Sequence, residues 1–314
     1  MSYYSDGDYV NDPNTPWHKV LEIIPIKSKV LDIGCSSGNF GKVIIDRKSC
    51  VVDGIELNKK DAIIASQKLH KVFNINIETN NIDFLDRDYN IIYFGDVIEH
   101  LQYPINVLKK IKKHLNVNGS VIFSIPNMAH ISVRLMLLRG RFEYGNTGLL
   151  DKTHLHYYDK EEIERIFYES GYRIEKLDWV SRDIPRELLE RELKAMGLTG
   201  DSRFFKLAKC LEAGAYQYVG KAIPSSVKMT VSLRPKISPP IDMFERHLAD
   251  IKKSYLEEIN RHDKQEDVRS VKIEQLNKHI NELTKRIEEY DRSLSWKITK
   301  PLRKVAKIIK KSGT

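Results

Sequence analysis

The sequence predicts an α/β fold built on a mostly parallel sheet, and three observations carry that prediction. Short β-branched runs alternate with helical stretches through the first 224 residues, and strands alternating with helices at this spacing form βαβ units. The runs are close to continuous in apolar residues, as strands covered on both faces must be. A glycine-rich turn follows the first run and leads into a helix, and an open α/β sheet binds its ligand at the carboxyl end of a strand.

Taken in order, the strand candidates are Lys29–Ile33, Cys50–Ile55, Asn90–Phe94 and Ser120–Ile125, with helices around 39–47, 58–71 and 103–115 between them. A helix at 159–170, a strand over Tyr172–Val180, a helical stretch at 185–213 and a strand over Ala215–Ala222 complete a body of residues 1–224. Residues 225–241 contain Pro235, Pro239 and Pro240 and read as a linker. From 242 to 294 no Gly or Pro occurs. Ile273, Leu276, Ile280, Leu283, Ile287, Tyr290 and Leu294 recur at spacings of three and four, the seam of a coiled coil that would join copies of the chain. Phe244, Leu248, Ile251 and Tyr255 start a similar seam upstream. In the tail, 295–314, Ile298, Leu302, Val305 and Ile309 share one helical face and Lys or Arg fill the rest. That pattern, with Trp296 at its start, is that of a basic amphipathic helix on an acidic membrane surface, or of a frayed tail that adds only solubility.

The charge sits in that tail. The 314 residues carry 52 Lys and Arg against 43 Asp and Glu, a net +9. Lys297 to Thr314 supply seven basic side chains and no acidic one, so the rest of the chain is close to neutral. A nucleic-acid binder spreads basic residues over a folded face, which makes nucleic acid a less favoured partner. Hydrophobic residues at 41% exclude a disordered chain. No stretch offers the roughly 20 apolar residues of a spanning helix, and the polar, acidic N-terminus is not a secretory signal. Cys35, Cys50 and Cys210 are odd in number and far apart, which fits a reducing cytoplasm and neither a disulfide framework nor a zinc site. The expected location is the cytoplasm, with a peripheral contact at the inner membrane face.

The strongest motif is Val30-Leu31-Asp32-Ile33-Gly34-Cys35-Ser36-Ser37-Gly38-Asn39-Phe40-Gly41, a strand ending in Asp and a glycine turn entering a helix. Glycine lets a ligand approach the backbone closely. Glu56 ends the second strand, Phe94-Gly95-Asp96-Val97-Ile98-Glu99-His100-Leu101 follows the fourth, and Ser124-Ile125-Pro126-Asn127 closes the fifth. A nicotinamide enzyme would show Gly-x-Gly-x-x-Gly without the acidic residue at the strand end.

This set resembles the class I S-adenosylmethionine-dependent methyltransferases over residues 17–224, with Ser36 where the family pattern has a glycine. The resemblance implies a Rossmann-like, seven-stranded, mostly parallel sheet with S-adenosyl-L-methionine as cofactor. By the same resemblance Asp32 and the Gly34, Cys35 and Gly38 backbone hold the methionine end and Glu56 the ribose. The segment Thr79–Asp83 borders the adenine, with Asn81 or Asp83 as its polar contact. Gly95 and Asp96 line the methyl-donor end.

A hydroxyl acceptor is a poor nucleophile at neutral pH and needs a base or a metal. Asp96, Glu99 and His100 stand at i, i+3 and i+4, one face of a helix start. With His154 they resemble the metal site of the small-RNA 2′-O-methyltransferases, and this donor set suits Mg2+ or Mn2+. A metal-free reading stays open: Asp96 and Glu99 also have the spacing of a capping box, and His154 or His100 then becomes the general base. His130 and His156 read as packed or solvated. Ser-Ile-Pro-Asn, Gly148–Leu155 and the Ser293–Arg303 tail are similar to a bacterial subgroup associated with surface-polysaccharide assembly. The expected activity is therefore O-methylation of a sugar hydroxyl on a cell-surface glycan or its lipid-linked precursor. A catalytically inactive scaffold and an RNA 2′-O-methyltransferase are the alternatives.

Overall fold

The computed structural model describes residues 7–225, 250–254, 257, 274–282, 284 and 285. The chain divides into two units, residues 1–231 and 232–314. In the first, the elements run α1 (Gly7–Asn11), α2 (Pro16–Ile23), β1 (Lys29–Ile33), α3 (Asn39–Lys48), β2 (Val51–Ile55), α4 (Lys59–Ala65), β3 (Lys71–Phe73) and β4 (Tyr89–Gly95). A 3-10 turn at Ile98–His100, α5 (Pro104–Ile111), β5 (Leu115–Pro126), α6 (Ile131–Leu138), α7 (Lys160–Glu169) and β6 (Tyr172–Ser181) follow. The unit ends with α8 (Arg186–Ala195), α9 (Ser202–Ala208), α10 (Leu211–Gly214) and β7 (Ala215–Pro224).

The expected seven-stranded sheet is present, in the order β3-β2-β1-β4-β5-β7-β6. Strands β1 to β5 pair in parallel, and β7 is inserted antiparallel between β5 and β6. The chain winds outward from β1 to β3 and then restarts at β4 on the other side of β1. The crevice at the carboxyl ends of β1 and β4 is thus the topological switch point, where such sheets bind ligands.

Alternating residues send side chains to opposite faces of the sheet, and each face has its own core. Leu31, Ile33, Phe94 and Phe123 pack with α5 and α7; Val30, Val52, Tyr93 and Ile122 pack with α2 and α3. Phe123 stacks on Phe167 of α7 with centroids 4.3 Å apart. Burial of a ring of this size contributes about 1.5–3 kcal/mol. Gly220 of β7 passes directly over Phe123, and a Cβ there would lie 2.3 Å from the ring.

The structure revises three helix predictions. The stretch 185–213 is three helices, interrupted where Gly197 takes a positive φ of 72°. Asp201 restarts the chain by accepting the Phe204 N–H at 2.8 Å. These helices pack Leu189, Leu193, Phe205 and Ala213 against Ile131 and Leu135 of α6, a third cluster apart from the sheet. The helix predicted at 58–71 stops at Ala65. That at 103–115 stops at Ile111 because Leu115 is already a strand residue, paired with Tyr89.

In the second unit every described residue is helical. Leu276 and Ile280 of the heptad seam are half-buried while their described neighbours are exposed. Ile273, Leu283, Ile287, Tyr290 and Leu294, the upstream Phe244, Leu248 and Tyr255, the linker from 226 to 241 and the tail 295–314 lie outside the described residues. Among the described residues no helix is long and apolar enough to cross a membrane.

Candidate active site

The loop between β1 and α3 wraps tightly on the end of β2. Gly34 and Cys35 both donate their N–H to the Ile55 carbonyl, at 2.8 and 3.1 Å, and Gly38 donates to Cys35 at 2.9 Å. Gly34 has φ 72° and faces Val97, whose methyl would stand 2.6 Å from an added Cβ. Gly38 is left-handed as well. Ser36 has φ 48°, a region costly for any residue with a Cβ. The missing family glycine therefore falls where glycine's freedom would be used. Cys35 is buried, and its sulfur packs over Gly54.

Asp32 is 3% exposed at the end of β1. Burial, reinforced by the nearby Glu56 carboxylate, pushes its carboxyl up to about 8. Glu56 braces the loop: its two oxygens accept N–H groups from Ser36 at 2.8 Å and Asn58 at 2.6 Å. Its backbone carbonyl accepts from the Asn74 side chain at 2.8 Å. The Asp32, Gly34, Cys35, Gly38 and Glu56 set expected from the sequence is thus brought together.

Asn81 is not part of that set. Strand β3 ends at Phe73, so the chain at its carboxyl edge is Asn74–Asn76. Asn81 caps a local turn, accepting from Asp83 N–H at 2.9 Å. The adjoining Asp83 pairs with Lys113, and Lys110 donates to the carbonyls of Ile77 and Asn80. These contacts hold residues 80–83 against the end of α5, next to the start of β5 rather than its carboxyl end. The polar residue at the edge of β3 is Asn74.

At the end of β4 the helix-face and capping-box readings both give way. Asp96 has φ 54°, Val97 precedes a 3-10 turn of three residues, and no side chain caps it. Asp96 turns instead toward β5 and β7. Ser124 Oγ donates to it at 3.3 Å, Gln217 Nε2 donates to the same oxygen, and Asp96 N–H donates to the Ser124 carbonyl at 3.2 Å. Burial pushes this carboxyl up to about 7, opposed by the two hydrogen bonds. Gln217 lies 121 positions away in sequence, and no local pattern marks it.

Glu99, His100 and His154 do converge: one ligand atom from each lies within 4.8 Å of the others. Asp96 is outside this group. Two local devices build it. The Leu155 and His156 N–H groups donate to the Glu99 carbonyl at 2.9 and 3.1 Å, docking the 149–156 loop on the 3-10 turn. Asp151 accepts from Thr153 N–H at 2.8 Å and Thr153 Oγ at 2.7 Å, a turn that aims the Thr153 carbonyl at His100. His100 Nδ1 then donates to Thr153 O at 3.1 Å, and His154 Nδ1 to Leu149 O at 3.2 Å. A carbonyl only accepts, so each ring carries a proton on Nδ1 and turns its Nε2 away from that contact. Burial, and next the repulsion from a charged His100, lower the His154 pKa.

Glu99 is 1% exposed, and among the described residues neither of its carboxylate oxygens has a hydrogen-bond partner. Burial and the Asp96 charge push it well above the usual carboxylate range. The Tyr158 hydroxyl, whose pKa is raised by burial and then by the Glu99 charge, is buried without a partner among the described residues as well. His130 is packed, bridging Ser132 and the Arg182 carbonyl, and His156 is half-buried. Asn127 is fully buried, donating to the carbonyls of Glu212 at 2.7 Å and Ala215 at 2.6 Å; it ties the end of β5 to the start of β7.

Two sequence relatives share parts of this body. A bifunctional methionine biosynthesis protein MetXA/MetW of Rhodopirellula baltica is 24% identical over 129 residues, 38% of this chain and 20% of that protein. A ubiquinone biosynthesis O-methyltransferase of Rickettsia typhi is 22% identical over 203 residues, 63% of this chain and 75% of that protein. Among solved structures, a SAM-dependent methyltransferase from Archaeoglobus fulgidus superposes with a TM-score of 0.47 at 17% identity. It covers 68% of this chain and 96% of the other. The family model described as a methyltransferase domain matches residues 13–177, from the helix before β1 into β6. With more than half its length matched and the glycine turn and Glu56 placed at the switch point, the chain belongs to this methyltransferase-domain family.

Proposed function

We propose that this protein is an S-adenosylmethionine-dependent O-methyltransferase acting on a sugar hydroxyl of a cell-surface glycan or its lipid-linked precursor. Asp32, with the Gly34–Gly38 backbone, would take the methionine end of the cofactor, and Glu56, beside Asn74, the ribose. The turn depends on its glycines: Gly34 and Gly38 have positive φ, and a Cβ would meet Val97 at the first and Ala65 and Leu69 at the second, so the backbone conformation at the switch point is kept open to a ligand only with glycine there. Transfer to oxygen is supported by the O-methyltransferase relative and, more directly, by the group of Glu99, His100 and His154.

That group is the observation that carries the reading. A buried carboxylate with both oxygens orphaned, beside two imidazoles, is costly unless something binds it. Two uses fit. The donor set suits a divalent cation such as Mg2+ or Mn2+, with Thr153 O and Leu149 O as the outer contacts that orient metal-binding histidines. Bound there, the ion would supply Lewis-acid activation of the acceptor hydroxyl. Without an ion, His154 Nε2 accepts the hydroxyl proton. In both cases the transfer is an in-line displacement, and the loop docked on the Glu99 carbonyl fixes the approach.

Release of S-adenosylhomocysteine with glycan acceptors tests this, with and without EDTA. Loss on EDTA, restored by Mg2+ or Mn2+ and absent in Glu99→Gln, supports the ion. Activity that survives EDTA but falls about 100-fold or more in His154→Ala supports the base. Activity indifferent to EDTA, Glu99→Gln and His154→Ala refutes the proposed centre. The heptad helix would assemble copies of the chain, and the basic tail would hold them at the cytoplasmic face of the membrane.

A further inference from the structure

The loop that delivers His154 continues into a row of aromatic rings that neither cofactor binding nor hydroxyl activation uses. The Tyr157 ring lies 6.4 Å from His154 between centroids, Phe142 lies 6.1 Å from Tyr157, and Tyr144 lies 5.2 Å from Phe142. All three contacts are edge-on, so the row is angled rather than stacked flat. Phe142 and Tyr144 remain 43% and 62% exposed. Tyr157 also lines a shallow, open hollow of about 340 Å3 with Met128, Ala129, Asp159 and Glu162, a volume within the range of small-molecule sites. The two carboxylates of the hollow are already oriented. Asp159 accepts the Glu162 N–H at 2.8 Å, and Glu162 is held by Arg165. Each keeps lone pairs for further donors.

We propose that this hollow is a saccharide subsite that seats the sugar ring carrying, or next to, the acceptor hydroxyl. The apolar face of a pyranose ring lies on Tyr157 and toward Phe142 and Tyr144, and its hydroxyls donate to Asp159 and Glu162. Three features select this ligand. Aromatic rings give a surface to the C–H face of a sugar. Carboxylates accept from hydroxyl groups but repel phosphates, which disfavours a nucleic-acid backbone. A flat aryl acceptor would cover the rings but brings fewer hydroxyl donors to the two carboxylates than a saccharide ring does. The proposal rests on the methyltransferase reading for the reaction that follows; binding of the sugar does not require it.

Saturation-transfer NMR on the full chain tests it, with methyl α-D-glucopyranoside, its deoxy analogue, catechol and a ribose phosphate as probes. S-adenosylhomocysteine is titrated into the same preparation. Both glycosides should receive saturation and the ribose phosphate should not. Tyr157→Ala and Glu162→Gln should each weaken glycoside binding about fivefold or more, with Tyr157→Phe close to wild type and S-adenosylhomocysteine affinity unchanged. Tyr144→Ala, which removes a mostly exposed ring, should weaken glycoside binding in the same direction and keeps the test decisive if Tyr157→Ala does not fold. No saturation of either glycoside, stronger binding of catechol or the ribose phosphate, or glycoside binding indifferent to these variants would overturn the subsite. Glycoside binding without S-adenosylhomocysteine binding would leave the subsite standing and remove the methyltransferase reading.

Discussion

Ser36 and Asp32 show how single residues set the behaviour of the cofactor loop. Ser36 sits at φ 48° in the turn. Ser36→Gly should raise stability by up to about 1 kcal/mol, since the left-handed penalty exceeds the added chain entropy of glycine; denaturant midpoints measure it. Gly34→Ala should do the opposite and abolish cofactor binding, because the new methyl meets Val97. Asp32 is raised in the folded state to about 8. The unfolded chain ionises this group near its ordinary value, so the native state binds the extra proton in between and stability falls as pH rises from about 4 to 8. Asp32→Asn removes that loss, and its melting temperature should exceed that of wild type at pH 8 and match it near pH 4. On the proposed role of Asp32 at the methionine end of the cofactor, binding the cofactor's ammonium group takes the ionised carboxylate, and affinity should weaken as pH falls below about 8. These residues were legible because the glycine turn after a strand ending in Asp comes together with Glu56 at the end of the second strand. The positive φ of Asp96, which dismantles its capping role, was not, since Asp and Asn adopt both conformations.

At the scale of elements, the strands with unbroken apolar runs were legible to within a residue or two. The misses have physical causes. Strand β3 is three residues, Lys71–Phe73, too short for periodicity to register. The start of β5, Leu115–Gly119, falls between the helix expected to 115 and the strand expected from Ser120; Leu115 pairs with Tyr89 across a register shift. The helical stretch after β6 was read as continuous; its first break falls at Gly197, where φ is positive, and its second at Lys209–Cys210, between α9 and α10. Non-local contacts define the rest of the site: Gln217 on Asp96, and the 149–156 loop on the Glu99 carbonyl. Asn127 belongs to this scale as well. It stood in a recognisable motif, yet its amide is spent on tying β5 to β7. Asn127→Ala should cost about 2–4 kcal/mol through two orphaned carbonyls, measured by chemical denaturation.

For the whole molecule, the division near residue 231 separates the chemistry from the heptad helix. A chain of residues 1–231 should keep the affinity of the full chain for S-adenosylhomocysteine and sediment as a monomer, while the full chain sediments as an oligomer. Equal sedimentation of both would remove the assembly role of the helix. The net +9 belongs mainly to the tail, so salt should alter any vesicle binding far more than turnover. The central claim is that the switch-point loop holds S-adenosylmethionine through Asp32 and Glu56. Calorimetric titration of S-adenosylhomocysteine tests it most directly. The account predicts saturable one-to-one binding by the wild type and its loss in Asp32→Ala; a folded wild-type protein that takes up no S-adenosylhomocysteine would contradict it.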